Sequence, residues 1–134
     1  MKKLKSISVS SENLALPRGA WVAMRKSGGL RFTSREIVVY RDGRVTYAGD
    51  YTAGQVRTWK LTDTQVSRLH GALAEIDFSH LPPAAGRQNP DAYAYEIVAR
   101  IGRRVQRAET FDGSIPDALK PFLRQLGRLV PPGD

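Results

Sequence analysis

From Ala20 onward apolar and polar positions alternate, with Trp21 and Ala23 on one side of the chain and Val22 and Met24 on the other. That is the period of a β-strand. The pattern breaks at Ser27-Gly28-Gly29, resumes through Leu30, Phe32 and Ile37 to Tyr40, breaks at Asp42-Gly43, and continues to Tyr47 and Tyr51. Adjacent glycines accept backbone angles closed to other residues, and Asp-Gly suits a two-residue hairpin turn. Trp21 to Tyr51 therefore predicts three antiparallel strands. With Arg41 paired to Arg44, Val39 would face Thr46, Val38 would face Tyr47, and Arg35 would meet Asp50 in a cross-strand ion pair worth at most about 1 kcal/mol. Gly54 to Lys60 predicts a short fourth strand or a lead into the next element.

The period then changes. Val66, Leu69, Leu73 and Ile76 recur at helical spacing. Thr62 and Gln65 have the spacing of a capping box, with Leu61 and Val66 as the hydrophobic staple. A helix over 63–76 is predicted, weakened but not ended by Gly71. Ser79 to Asp91, SHLPPAAGRQNPD, has no regular period, and irregular connections of roughly a dozen residues or more are often functional or disordered.

Tyr93, Tyr95, Ile97, Ala99 and Ile101 alternate strictly, which predicts a strand with one buried face. Gly102-Arg103 turns it back. The returning strand, Val105 to Phe111, is crowded by arginines and reads as an edge, where charge discourages sheet-to-sheet association. Leu119, Phe122, Leu123, Leu126 and Val130 predict a last helix with Ser114 as its cap. Pro121 requires that helix either to restart there or to kink.

Five or six strands in hairpins, with two amphipathic helices and no repeating strand–helix–strand unit, make the fold class α+β with antiparallel sheet(s). At 134 residues the chain is one domain's worth, long enough to bury about two-thirds of its unfolded surface. Residues 1–17 read as a flexible lead-in and 18–131 as a single α+β domain. The basic start lacks the apolar core of a signal peptide, and no stretch approaches the ~20 apolar residues of a membrane span. The expectation is a soluble cytoplasmic protein with no membrane association, monomeric when free.

There is no cysteine, which excludes disulfides and thiolate metal sites. His70, on the flank of the first helix stripe, reads as half-buried, and His80 as solvated. Two histidines without HExxH or a carboxylate cluster do not make a metal centre. No GxSxG, Walker loop or GxGxxG is present, and Asp42, Asp63 and Asp117 are each committed to a turn or a helix start. The chain therefore reads as a non-enzyme with neither cofactor nor metal. The net charge of +8, from 21 basic against 13 acidic residues, admits an anionic partner. Arg100, Arg103, Arg104 and Arg107 cluster on the second hairpin, with Tyr93, Tyr95, Trp21 and Trp59 available for stacking. A nucleic-acid-binding module is the alternative reading, set behind the simpler one of a solvated charged face and core tyrosines.

RKSGGL at 25–30, IVVYRDGRVTY at 37–47, LTDTQVSRLHGAL at 61–73, NPDAYAYEIV at 89–98 and IPDALKPFLRQL at 115–126 resemble, in order and spacing, the emfourin-like protein inhibitors of thermolysin-like zinc metallopeptidases. The resemblance covers roughly Trp21 to Leu129. It implies stoichiometric inhibition, with surface loops blocking the peptidase's active-site cleft. The candidate contacts are Ser27, Gly28, Gly29, Leu30 and Phe32 in the glycine loop, and Asn89 and Asp91 in the long loop. Asp91 is also a candidate for a carboxylate directed at the target's zinc. A basic inhibitor suits an acidic protease surface, since complementary charge mainly speeds association.

Overall fold

In the computed structural model, which describes residues 14–29, 33–49, 55–82 and 92–129, β1 is Ala20–Gly28, β2 Thr33–Tyr40, β3 Arg44–Gly49 and β4 Arg57–Lys60. Helix α1 (Asp63–Ala74) follows, then β5 (Tyr93–Ile101), β6 (Arg104–Phe111) and α2 (Lys120–Leu129). The strands form one antiparallel sheet in the order β4-β3-β2-β1-β5-β6. β1 to β4 meander outward, and the β5–β6 hairpin adds to the free side of β1. The fold is α+β, as the pattern predicts, and β6 lies at an edge.

Both helices cover one face. Val22, Met24, Ile37, Val39, Val45, Tyr47 and Ile97 from the sheet meet Leu69, Leu73, Phe122 and Leu126 from the helices, all nearly or fully excluded from solvent. Burying each such large side chain contributes about 1.5–3 kcal/mol. The second face is closed as well. Leu14 clusters there with Ala23, Val38 and Val98, Leu16 and Tyr40 pack alongside, and Arg107 Nη1 donates to the Leu14 carbonyl at 2.7 Å. So the expected lead-in through Pro17 contributes a buried Leu14 and a half-buried Leu16, and the strict single-sided reading of β5 is corrected. Unbroken runs such as Ile37-Val38-Val39 and Ile97-Val98-Ala99 are what a strand buried on both faces requires.

The β2–β3 register differs by one residue from the sequence expectation. Val39 pairs with Val45, Val38 with Thr46 and Ile37 with Tyr47, and Arg35 stands opposite Gly49. The connection holds three residues, not two. Gly43 N–H donates to the Tyr40 carbonyl at 3.0 Å, Gly43 takes the left-handed conformation at φ 91°, and Arg44 N–H donates to Asp42 Oδ1 at 2.9 Å. This is the turn-plus-bulge alternative for Asp-Gly. One residue of slip exchanges the faces, and it carries Tyr47 into the helix-side core. Asp50, the expected partner of Arg35, lies outside the described residues.

Trp21 is displaced from its expected face too. The β1–β2 register shifts between Ala20 and Val22, so Trp21 is the extra residue of a bulge. It joins Val22 and Met24 in the helix-side core. Its ring lies 4.7 Å from that of His70, which is exposed on α1, not half-buried. The Thr62–Gln65 capping box forms in both directions. Ser114 is not a cap. Its hydroxyl donates to the Phe111 carbonyl, and a 3₁₀ turn at Asp117–Leu119 leads into α2. Pro121 is thereby the second residue of α2, where its missing N–H costs no helical bond.

Candidate functional site

Strand direction divides the connections between two ends of the sheet. At one end the chain turns at 41–43 and at 102–103. At the other lie the segments after Gly28, after Gly49, before Tyr93 and after Phe111. At this second end Gly28 pairs with Tyr93 across β1 and β5, so the residues that flank the two stretches singled out in the sequence are neighbours.

Gly28 and Gly29 are both buried, with φ 111° and 78°. A β-carbon on Gly28 would stand 2.7 Å from the Ala92 carbonyl oxygen, and one on Gly29 would stand 2.7 Å from the Tyr93 ring. The glycines thus admit a neighbouring segment of the same chain, and being covered they offer no surface of their own. Ser27, half-buried in β1, pairs with Ser34 and Ala94. Leu30, Phe32, Asn89 and Asp91 lie outside the described residues.

Behind the glycines a row of side chains crosses the helix-side face. Register places Arg35 beside Lys26 and Lys26 beside Tyr95. Gly49 completes the row opposite Arg35, and its missing side chain is required because a β-carbon there would lie 2.7 Å from Arg35 Cβ. Lys26 Nζ sits 4.3 Å from the Tyr93 ring centroid and 5.5 Å from that of Tyr95, and the Arg35 guanidinium is 5.8 Å from Tyr93. Ring faces attract cations, more so when partly desolvated. Half-burial, and then the neighbouring Arg35, lower the Lys26 pKa.

Asp112 ties the row to the chain end of the β5–β6 hairpin. The Tyr95 hydroxyl donates to Asp112 Oδ1 at 2.8 Å, and Tyr93 N–H donates to Oδ2 at 3.3 Å. Asp112 N–H in turn donates to the Tyr93 carbonyl at 3.0 Å. Burial first, and this carboxylate second, raise the Tyr95 hydroxyl pKa well above its ordinary value. Between this row and α2 lies a cavity of about 360 Å³, with Met24, Ile37 and Leu123 among its apolar lining and Lys26, Arg35 and Arg124 as its cations. The sequence reading missed this group. Its signal is Lys26 in phase with Met24, and Arg35 in phase with Ile37, each a charge continuing an apolar face.

The arginine hairpin does not converge. By strand alternation Arg100 and Arg107 share the face away from the helices, Arg104 lies on the opposite face, and Arg103 is in the turn. Arg107 is engaged with Leu14, and Tyr93 and Tyr95 stand at the far end of β5. His80 is exposed and bonds Asp77, whose carboxyl is held below its usual range by hydrogen bonds from Ser79 and then His80. Among the described residues no three His, Asp or Glu side chains stand together as a metal site, and no helix is long and apolar enough to cross a membrane. No protein-family model matches this chain, and no curated protein matches it.

Proposed function

We propose that this chain inhibits a thermolysin-like zinc metallopeptidase made in the same cytoplasm, by inserting into its cleft the segments that follow Gly28 and precede Ala92. The observation that carries the reading is the junction of those segments. Two stretches more than sixty positions apart in sequence leave the sheet from a paired position, Gly28 with Tyr93, and pack closely there, Gly28 against the Ala92 carbonyl and Gly29 against the Tyr93 ring. A partner that engages both meets anchors already held in place, so less ordering entropy is lost on binding. The net charge of +8 favours rapid encounter with an acidic enzyme surface.

The test is titration of purified protein against a panel of zinc endopeptidases. One-to-one competitive inhibition is expected, weakened by deletion within 30–32 and, separately, within 84–90. Full peptidase activity in the presence of a micromolar excess, across the thermolysin-like members of the panel, would refute the proposal.

A further inference from the structure

We propose that the cavity between the sheet and α2 binds a small organic carboxylate with an apolar body, the acid group held by Lys26 and Arg124 and the body lying on Met24, Ile37 and Leu123. This site is independent of the inhibitor reading. It sits on the helix-side face, and it would serve whether or not the neighbouring loops meet a peptidase.

Three observations converge on it. The cavity, at about 360 Å³, falls in the size range of small-molecule sites, and its wall is mainly apolar and aromatic with a few convergent polar groups. Among the described residues its charged lining is basic, Lys26, Arg35 and Arg124. Neither Lys26 nor Arg124 forms a salt bridge with a carboxylate among the described residues. The nearby acid, Asp112, is occupied by the Tyr95 hydroxyl and the Tyr93 N–H. Half-burial and the Arg35 guanidinium disfavour the Lys26 ammonium while Asp112 favours it, and an anion beside Lys26 and Arg124 adds to the favourable side. The third observation is Gly127. It lies within α2 and lines the cavity, and a β-carbon there would meet no atom within 4 Å. Glycine is a poor helix former, and at this position it leaves the space open that a larger side chain would fill.

The chemistry separates the ligand's two parts. A bare anion would leave the apolar wall uncovered, and a neutral apolar molecule would make no ionic contact with Lys26 or Arg124. The experiment is a calorimetric titration of the full chain with 4-phenylbutyrate, its neutral amide and inorganic phosphate, repeated on Lys26→Met, Arg124→Gln and Gly127→Leu. Circular dichroism confirms that each variant is folded. Gly127→Leu replaces a poor helix former with a good one, and Arg124 is exposed, so these two remain informative if Lys26→Met does not fold. The expected result is saturable one-to-one binding of 4-phenylbutyrate. Binding should fall roughly tenfold or more for the amide and for either cation variant, and should be lost in Gly127→Leu. The proposal is overturned if no saturable binding of 4-phenylbutyrate occurs. It is equally overturned if the amide or phosphate binds as well, or if Gly127→Leu binds like the parent chain.

Discussion

The two ends of the sheet solve the same problem, reversing the chain, by different means. At the 41–43 end the turn is closed by its own residues, with Gly43 N–H on the Tyr40 carbonyl and Asp42 on the Arg44 amide. The adjoining strands add a local contact, the Arg44 guanidinium 4.1 Å from the Tyr40 ring centroid. At the glycine end the chain is held by partners distant in sequence. Gly28 meets Ala92, Gly29 meets Tyr93, and Asp112 holds both tyrosines of β5. The first end closes its own turn and is joined to distant chain through backbone hydrogen bonds, Arg41 N–H to the Gly19 carbonyl and Leu61 N–H to the Gly43 carbonyl, both at 2.9 Å. The second depends on close packing and side chains brought from afar.

The contrast is sharpest under one substitution made at both ends. Gly28→Ala adds a left-handed backbone penalty and drives a β-carbon to 2.7 Å from the Ala92 carbonyl oxygen. Strain and overpacking together should cost about 2–5 kcal/mol in chemical denaturation. Gly43→Ala pays only the backbone term, since its nearest neighbours would lie at 3.7 Å, and should cost about 1–2 kcal/mol. Equal losses at the two positions would erase the distinction.

Next in size is Tyr95→Phe, which removes a hydrogen bond to a carboxylate and should cost about 1.5–3 kcal/mol at neutral pH. It also predicts a pH dependence. Because the folded-state pKa of Tyr95 is raised above its ordinary value of 10.0, the unfolded chain releases this proton first as pH rises. The stabilisation is therefore complete below pH 10 and declines above it. Stability curves of the parent and Tyr95→Phe should converge as the solution is made more alkaline, and parallel curves would contradict the assignment. The smallest effect is expected at the 41–43 end. Thr62→Ala removes the cap of α1 and should lower the thermal midpoint by an amount equivalent to about 1 kcal/mol.

The same contrast explains what could be read from the sequence. The α1 cap, the Gly102-Arg103 reversal and the stripes Val66-Leu69-Leu73 and Phe122-Leu123-Leu126 depend on neighbours a few residues apart, and they stand where periodicity places them. Helix α1 ends at Ala74, short of the expected 76, Leu119 falls in the turn before α2, and Val130 lies outside the described residues. The register of β2 and β3 was not legible, because Asp-Gly serves a two-residue turn and a three-residue turn with a bulge equally well. Only burial of Tyr47 beneath the helices distinguishes them. Strict alternation puts Trp21 on the wrong face because a bulge is invisible to a period of two. The Lys26, Arg35 and Tyr95 row depends on pairings between strands far apart in sequence. The pattern alone offers Arg35 only Asp50 as a partner and gives Lys26 no neighbour on β5.

The seat of Leu14 has a kinetic corollary. Its walls come from β1, β2 and β5 through Ala23, Val38 and Val98, and its latch is Arg107 on β6. No early fragment of the polypeptide, and neither hairpin alone, can provide that receptacle. Shielding of Leu14 from solvent should therefore be among the last events of folding, and a reporter attached there would time the closing of the whole sheet.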